Sequence, residues 1–256
     1  MLEMFVGKDP AVVNVFKFPA GESGVSFSVP VQRTHLYDGK PFGANITLKW
    51  EGNDDLINLA LLVDAVRRKY NNEVEISLTI PYFPYARQDR VCNPGESLSV
   101  KVIADIINAM NFARVYVIDP HSDVAGAVLN NMVQIDNNYN VMKAWHAIAV
   151  PQDRELFVSP DAGALKKVYG YSKYCMGIPI IKADKVRDTH TGKITGTVVH
   201  TERHLGKAHL LVIDDICDGG GTFIPLAEEL RKITDGTVSL FVTHGLFTKG
   251  IDIVVD

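Results

Sequence analysis

"VIDDICDGGGTF" occupies residues 212–223. Aliphatic residues run into two adjacent carboxylates, Asp214 and Asp215. A third, Asp218, follows, then Gly219, Gly220, Gly221 and Thr222. The apolar lead-in "LLVI" reads as a buried strand with the acid pair at its end, the glycines as a turn, and Thr222 as the cap of a helix. A helix N-terminus offers backbone N–H groups and the positive end of the helix dipole, and glycines let that backbone close on a phosphate. Ionised carboxylates accept hydrogen bonds from hydroxyls. The stretch therefore suits a ligand with a phosphate at one end and vicinal hydroxyls at the other, as in a pentose 5-phosphate. A lone GGGT is more often a plain strand-to-helix loop. Three carboxylates at this spacing behind a buried strand outweigh that reading.

The pattern on either side of this stretch is α/β. Before it, "ELFVS" (155–159) and "CMGIPII" (175–181) read as strands, with a helix from about Asp161 between them. After it come a helix from near Thr222 and the strand "TVSLFVTH" (237–244). The polar, Asn-rich stretch 133–140 marks a boundary, which predicts one domain over residues 1–137 and a second over 138–256. In the first domain, alternation at 12–18 and 25–32 and the segment 44–50 predict strands. Asn53 or Asp54 caps a helix with Leu56, Leu59, Ala60 and Val63 on one face. A strand at 74–80 follows, then a helix from near Ser97 carrying Val100, Ile103, Ala104, Ile107 and Met110, then a strand at 114–119. Alternating strands and helices imply parallel sheets, with ligands at the C-terminal ends of the strands.

With 256 residues, 46% hydrophobic and 22% charged, the chain is an ordinary globular sequence long enough for two small domains. A net charge of −4 gives no basic field for nucleic acid or a membrane surface. No apolar run approaches the roughly 20 residues a membrane helix needs, and "MLEMFVGKDP" lacks the core of a signal peptide. Cys92, Cys175 and Cys217 are odd in number and form no CxxC, which fits reduced thiols in a cytoplasmic protein.

"VIDDICDGGGT" resembles the phosphoribosyl pyrophosphate (PRPP) binding motif of the type I phosphoribosyltransferases. Two further stretches, "IPYFPYARQDR" (80–90) and "VIDPHSDVAG" (117–126), resemble signature segments of the ribose-phosphate pyrophosphokinase, or PRPP synthetase, family. "VSPDAGALKK" (158–167), "IIKADKVR" (180–187) and "FPAGE" (18–22) are similar to further segments, so the resemblance covers nearly the whole chain. It implies two tandem phosphoribosyltransferase-like domains, each a mostly parallel sheet flanked by helices. Family members usually continue for tens of residues beyond the point where this chain stops. Compact variant and fragment both remain open.

The resemblance also implies roles. Arg87, Gln88 and Asp89 would help hold ATP, with Phe18 and Glu22 reaching the nucleotide of a neighbouring subunit in a homo-oligomer. His121 would lie near the triphosphate and its Mg²⁺, and Asp161 in the pyrophosphate and metal loop. Mg²⁺ prefers oxygen ligands, so direct ligation by His121 would be unusual. Ala162 stands where the family usually has histidine. Lys185 and Arg187 would stabilise charge on the transferring phosphates from the polar loop 183–193, with Val186 in place of a third cation. Asp214 and Asp215 would hold the ribose hydroxyls, and Asp218, Gly219, Gly220, Gly221 and Thr222 the 5-phosphate. The reaction implied is transfer of the ATP pyrophosphoryl group to ribose 5-phosphate, giving PRPP and AMP. A PRPP-consuming phosphoribosyltransferase shares the sugar-phosphate loop but does not account for "YARQDR" or "DPHSD". A regulatory subunit without turnover is the remaining alternative, kept open by Val186 and Ala162.

Overall fold

The computed structural model describes residues 1–30, 43–148, 155–187, 194–201 and 203–255. The chain divides into two compact units, Met1–Asp136 and Asn137–Asp256.

The first unit is built on one sheet, in the order β3-β2-β1-β4-β5-β6-β7. Strands β1 (Leu2–Val6), β2 (Asp9–Lys17) and β3 (Ser23–Ser28) form an antiparallel meander. Strand β4 (Ala44–Leu48) pairs antiparallel with β1. From there β4, β5 (Ile76–Ile80), β6 (Arg114–Ile118) and β7 (Met132–Ile135) run parallel. Helices α1 (Asp54–Lys69), α2 (Ser99–Ala109) and α3 (Val124–Val128) are the crossovers. Side chains alternate faces along a strand. Ala44, Ile46 and Leu48 share a buried face with Ile76, Leu78, Ile80, Val115 and Val117. That face packs on Leu59, Leu62, Val63 and Val66 of α1 and on Val100, Ile103, Ala104 and Ile107 of α2. Asp54 and Asp55 in the first turn of α1, and Arg67, Arg68 and Lys69 in its last, match the helix dipole.

The second unit has the order β10-β9-β8-β11-β12. Strands β8 (Glu155–Ser159), β9 (Ile180–Arg187), β11 (His209–Cys217) and β12 (Val238–Gly245) are parallel, and β10 (Ile194–Val199) returns antiparallel along β9. Helices cover both faces, so the central strands are apolar on both sides. Leu156, Val158, Leu210 and Val212 point toward Leu226 and Leu230 of α6 (Phe223–Arg231). Phe157, Leu211 and Ile213 point the other way. They meet Val141 and Trp145 of α4 (Asn138–Ile148) and Val168 and Tyr171 of α5 (Leu165–Tyr174). A 3₁₀ turn at Ile251–Ile253 follows β12. Among the described residues no helix is long and apolar enough to cross a membrane, and all three cysteines are free thiols.

Several local expectations are corrected. Asn53 stands at the N-cap of α1 but makes no side-chain cap, because its Oδ1 accepts the Tyr85 hydroxyl at 2.5 Å. Asp55 closes that end instead, accepting the N–H groups of Glu51 (2.7 Å) and Gly52 (3.2 Å). The apolar run 175–181 starts as a turn: Met176 and Gly177 have φ of 60° and 83°, outside strand geometry, and β9 begins only at Ile180. The polar loop expected at 183–193 is a strand through Arg187, and residues 188–193 lie outside the described residues. So do residues 31 and 32 of the expected strand 25–32. The Asn-rich stretch 133–140 contains the end of β7, the division between the two units and the start of α4.

The approach to β12 is sterically tight. Buried Thr234 donates its hydroxyl to the Ala208 carbonyl (2.5 Å) and accepts the Gly236 N–H (3.0 Å). A Cβ on Gly236 would sit 2.2 Å from the Ala208 carbonyl oxygen and 2.7 Å from that of Lys207. Both are backbone atoms, which cannot swing away. Gly236→Ala is therefore expected to destabilise the protein by about 1–3 kcal/mol, the usual range for overpacking. A thermal melt checks this, and an unshifted midpoint would show that the turn opens freely.

Candidate functional site

The site in the second unit follows from strand alternation at the end of β11. Residues 210 and 212 face α6, and 211 and 213 face α5. Asp214 and Asp215 follow in the same strand, with their carboxyls close enough to share a hydrogen bond. Both aspartates are inside β11 and not beyond it, as β11 stays paired with β12 through Cys217. Lys167, near the start of α5, reaches Asp215 with Nζ 3.4 Å from Oδ2. Asp214 Oδ1 accepts the Asp215 N–H at 2.8 Å.

A third carboxylate comes from the neighbouring strand. Parallel pairing sets Ser159 of β8 opposite Lys182 of β9. Asp161 and Lys185, two and three residues further along, meet in a half-buried ion pair at 2.5 Å. Asp161 is not the N-cap of α5, which starts four residues later. Its Oδ1 accepts the Ala164 N–H (3.0 Å), and the buried Ser159 hydroxyl donates to its carbonyl (2.8 Å).

These contacts set the charge state. Burial, then the Asp215 charge and hydrogen bond, and the charge of Asp161, push the Asp214 carboxyl up to about 8 from its ordinary 3.8. Asp161 goes the other way. Burial alone would raise it, but the hydrogen bond and charge of Lys185, with the N–H groups of Ala164 and Gly163, hold it below its ordinary value.

Beyond the acid pair the chain turns at Gly220, whose φ of 75° suits glycine. The Gly220 carbonyl accepts the N–H groups of Phe223 and Ile224, both at 3.0 Å, which starts α6. Thr222 occupies the N-cap but its side chain makes no cap, a second correction. The Cys217 thiol is buried beneath the turn. Burial pushes it up, against the opposing Gly220 N–H, while Asp218 and Asp214 add to the rise. Asp218 Oδ1 accepts the Thr248 hydroxyl at 2.5 Å.

In the first unit the segments after β5 and β6 come together. Asp89 bonds Arg90 Nε at 3.1 Å and also the Ser122 hydroxyl, with His121 close by. Burial would raise Asp89, but Ser122, Arg90 and the His121 charge together lower it. Asp119 (φ 42°) and Tyr85 (φ 61°) hold the left-handed conformation in these segments, which is uncommon for non-glycine residues and concentrates at functional sites. Gln88 accepts the Ser99 hydroxyl at the start of α2, and Arg87 is exposed. Phe18 and Glu22 sit on the β2–β3 turn, where the Phe18 N–H bonds the Glu22 carbonyl at 2.8 Å. The strands β1 and β4 separate β2 from β5 in the sheet, so this chain does not itself gather these two with Asp89. Arg187 closes β9.

Sequence reading missed Lys167, Ser122 and Thr248. Lys167 stands two residues into α5, close behind the Asp161 turn. That placement was a readable signal; the approach of Thr248 to Asp218, 30 residues away in sequence, left none.

Two mostly parallel sheets, each with strand-to-helix loops carrying the polar groups, define a pair of tandem phosphoribosyltransferase-like domains. A sequence profile of the N-terminal domain of ribose phosphate pyrophosphokinase matches residues 4–110. The ribose-phosphate pyrophosphokinase of Mycoplasma pneumoniae is 28% identical over 90% of this chain and 67% of its own length. That of Campylobacter jejuni is 31% identical over 77% of this chain and 61% of its own. The crystal structure of phosphoribosylpyrophosphate synthetase from Mycobacterium smegmatis superposes with a TM-score of 0.74 at 20% identity, covering 92% of this chain and 73% of that one. The chain is similar over most of its length to ribose-phosphate pyrophosphokinases, and spans about two thirds of the length of the curated relatives it matches.

The opposite shifts of Asp214 and Asp161 give two pH windows. The folded protein holds the Asp214 proton more tightly than the unfolded chain does, so this group's stabilisation is complete below 3.8 and is lost as pH rises through about 8. Asp161 stabilises above its ordinary 3.8, and that contribution is lost as the solution is acidified below it. Asp214→Asn removes the first effect. Between pH 5 and 9, without divalent ions, its melting temperature should fall less steeply than the parent's and exceed it at pH 8. Parallel pH profiles would contradict the raised value.

Proposed function

We propose that this chain is a ribose-phosphate diphosphokinase, transferring the pyrophosphoryl group of ATP to the anomeric hydroxyl of ribose 5-phosphate. The observation that carries the reading is the acid pair Asp214–Asp215 leading into the turn 218–222, with Lys185 held on Asp161 beside it. The turn and the start of α6 would take the 5-phosphate through backbone N–H groups. Asp215 would accept a hydrogen bond from one ribose hydroxyl. Asp214, protonated near neutrality, would donate to or accept from the other.

The anomeric oxygen attacks the β-phosphorus of ATP, the bond to the α–β bridging oxygen breaks, and AMP leaves with that oxygen. Such transfer depends on positioning and charge stabilisation more than on covalent help. Lys185 stabilises the charge of the transferring group, and Arg187 shares that role. Arg87, Gln88, Asp89 and His121 in residues 1–137 would hold ATP. Phe18 and Glu22, remote from them in the sheet, would serve a neighbouring copy in a homo-oligomer. Residues 138–256 would carry the sugar-phosphate and pyrophosphate loops. Three free thiols fit a cytoplasmic setting.

Mg²⁺ fits this reading in part. No cluster of three or more His, Cys, Asp or Glu side chains forms a metal cage among the described residues. Mg²⁺ is commonly held by one or two carboxylates with substrate phosphates and water, and the crowding of Asp161, Asp214 and Asp215 is what a cation relieves. Asp161 would be its protein ligand, with His121 beside the triphosphate. The ion would supply Lewis-acid neutralisation of the phosphate oxygens.

Phosphorus NMR of the protein with ATP, ribose 5-phosphate and Mg²⁺ should show AMP and PRPP rising in equal amounts. A folded protein that binds both substrates without turnover would point to a regulatory subunit. In the same assay Lys185→Ala should lower kcat by about 10²–10³-fold, the scale of a lost transition-state donor. A change confined to KM would remove that role from Lys185.

A further inference from the structure

The segment that follows β12 crosses the 218–222 turn and is fastened to it. The Cys217 carbonyl accepts the N–H groups of Leu246 (2.8 Å) and Phe247 (3.3 Å). The Thr248 hydroxyl donates to Asp218. Val254 and Ile253 reach within 3.0 and 3.2 Å of where a Cβ on Gly220 would lie. Lys249 lies at the centre of this crossing. Its Cγ, Cδ and Cε are 3.6, 3.3 and 3.3 Å from the place a Gly219 Cβ would take. The bare glycine is what lets the aliphatic stem lie along the turn, and the ammonium is one bond beyond Cε. The residue is exposed, and no ion pair engages its ammonium among the described residues.

The charge of the site gives that ammonium a use. Asp214, Asp215 and Asp218 flank the place proposed for the sugar phosphate, and Asp161 lies within electrostatic reach of Asp214. Lys185 and Lys167 are already paired with Asp161 and Asp215. A phosphate dianion set on the turn meets the partial positive charge of the α6 N-terminus and the full negative charge of Asp218. It needs a further cation, one that can reach the turn from outside. Lysine, a compact charge on a flexible stem, is suited to a tetrahedral phosphate approached from solvent.

We infer that Lys249 is a ligand of the substrate's phosphate, brought over the turn by the segment after β12. This deepens the ribose 5-phosphate reading and rests on it. The stem packs on Gly219 whether or not ligand is present, and only the charge is specific to a phosphate. Lys249→Met keeps the stem and removes the charge, whereas Lys249→Arg keeps the charge.

The test is calorimetric titration of the parent and both variants with ribose 5-phosphate, and separately with ATP, each with Mg²⁺. Lys249→Met should bind ribose 5-phosphate about tenfold more weakly, the scale of one charge-assisted hydrogen bond at a partly exposed site. Its ATP affinity and melting temperature should match the parent's, and Lys249→Arg should recover most of the loss. A parent that binds ribose 5-phosphate no better than the Met variant does would overturn the role of Lys249 alone. An equal loss for ATP would overturn it too, by exposing a general field effect. A parent that binds no ribose 5-phosphate would overturn the site reading and this inference together.

Discussion

Repulsion among carboxylates is the constraint around which the second unit is arranged. Asp214 and Asp215 are adjacent on a strand buried on both faces, and Asp161 lies within electrostatic reach. Two unit charges a few ångströms apart in a poorly solvated place cannot both stay ionised cheaply. The protein answers in two ways. Lys167 and Lys185 neutralise Asp215 and Asp161. Asp214 keeps its proton to about pH 8.

That arrangement costs stability and is easier to understand as preparation for a ligand than as a device of folding. A site short of positive charge gains most from a cation that arrives with its substrate. A site that keeps one acid neutral beside one ionised acid can both donate to and accept from a diol. The first unit shows a milder version, in which Asp89 stays ionised because Ser122, Arg90 and His121 surround it. Two residues there hold strained backbone in the same segments, which fits groups placed for a ligand before it binds.

Much of this was legible in the sequence. The helical spacing from Val100 to Ile107 and the apolar runs of β8 and β11 are strong periodic signals, and the elements they announce are present. Local chemistry was less reliable. Asn53 and Thr222 are good capping residues by type, but a tyrosine hydroxyl takes Asn53, and the Gly220 carbonyl already organises the start of α6. The apolar run at 175–181 reads as strand throughout, yet its first residues need positive φ. The polar run at 183–187 reads as loop, yet it pairs antiparallel with β10, the edge strand of its sheet. The Lys185–Asp161 pair joins residues 24 apart, and only the β8–β9 register reveals it.

The position of the bound sugar phosphate is the most direct test, and a crystal structure of the protein with ribose 5-phosphate would show it. The phosphate is expected at residues 218–222 against the start of α6, with the vicinal hydroxyls at Asp214 and Asp215. A sugar phosphate bound away from that turn, or lying with its hydroxyls on the glycines and its phosphate at the acid pair, would contradict that placement.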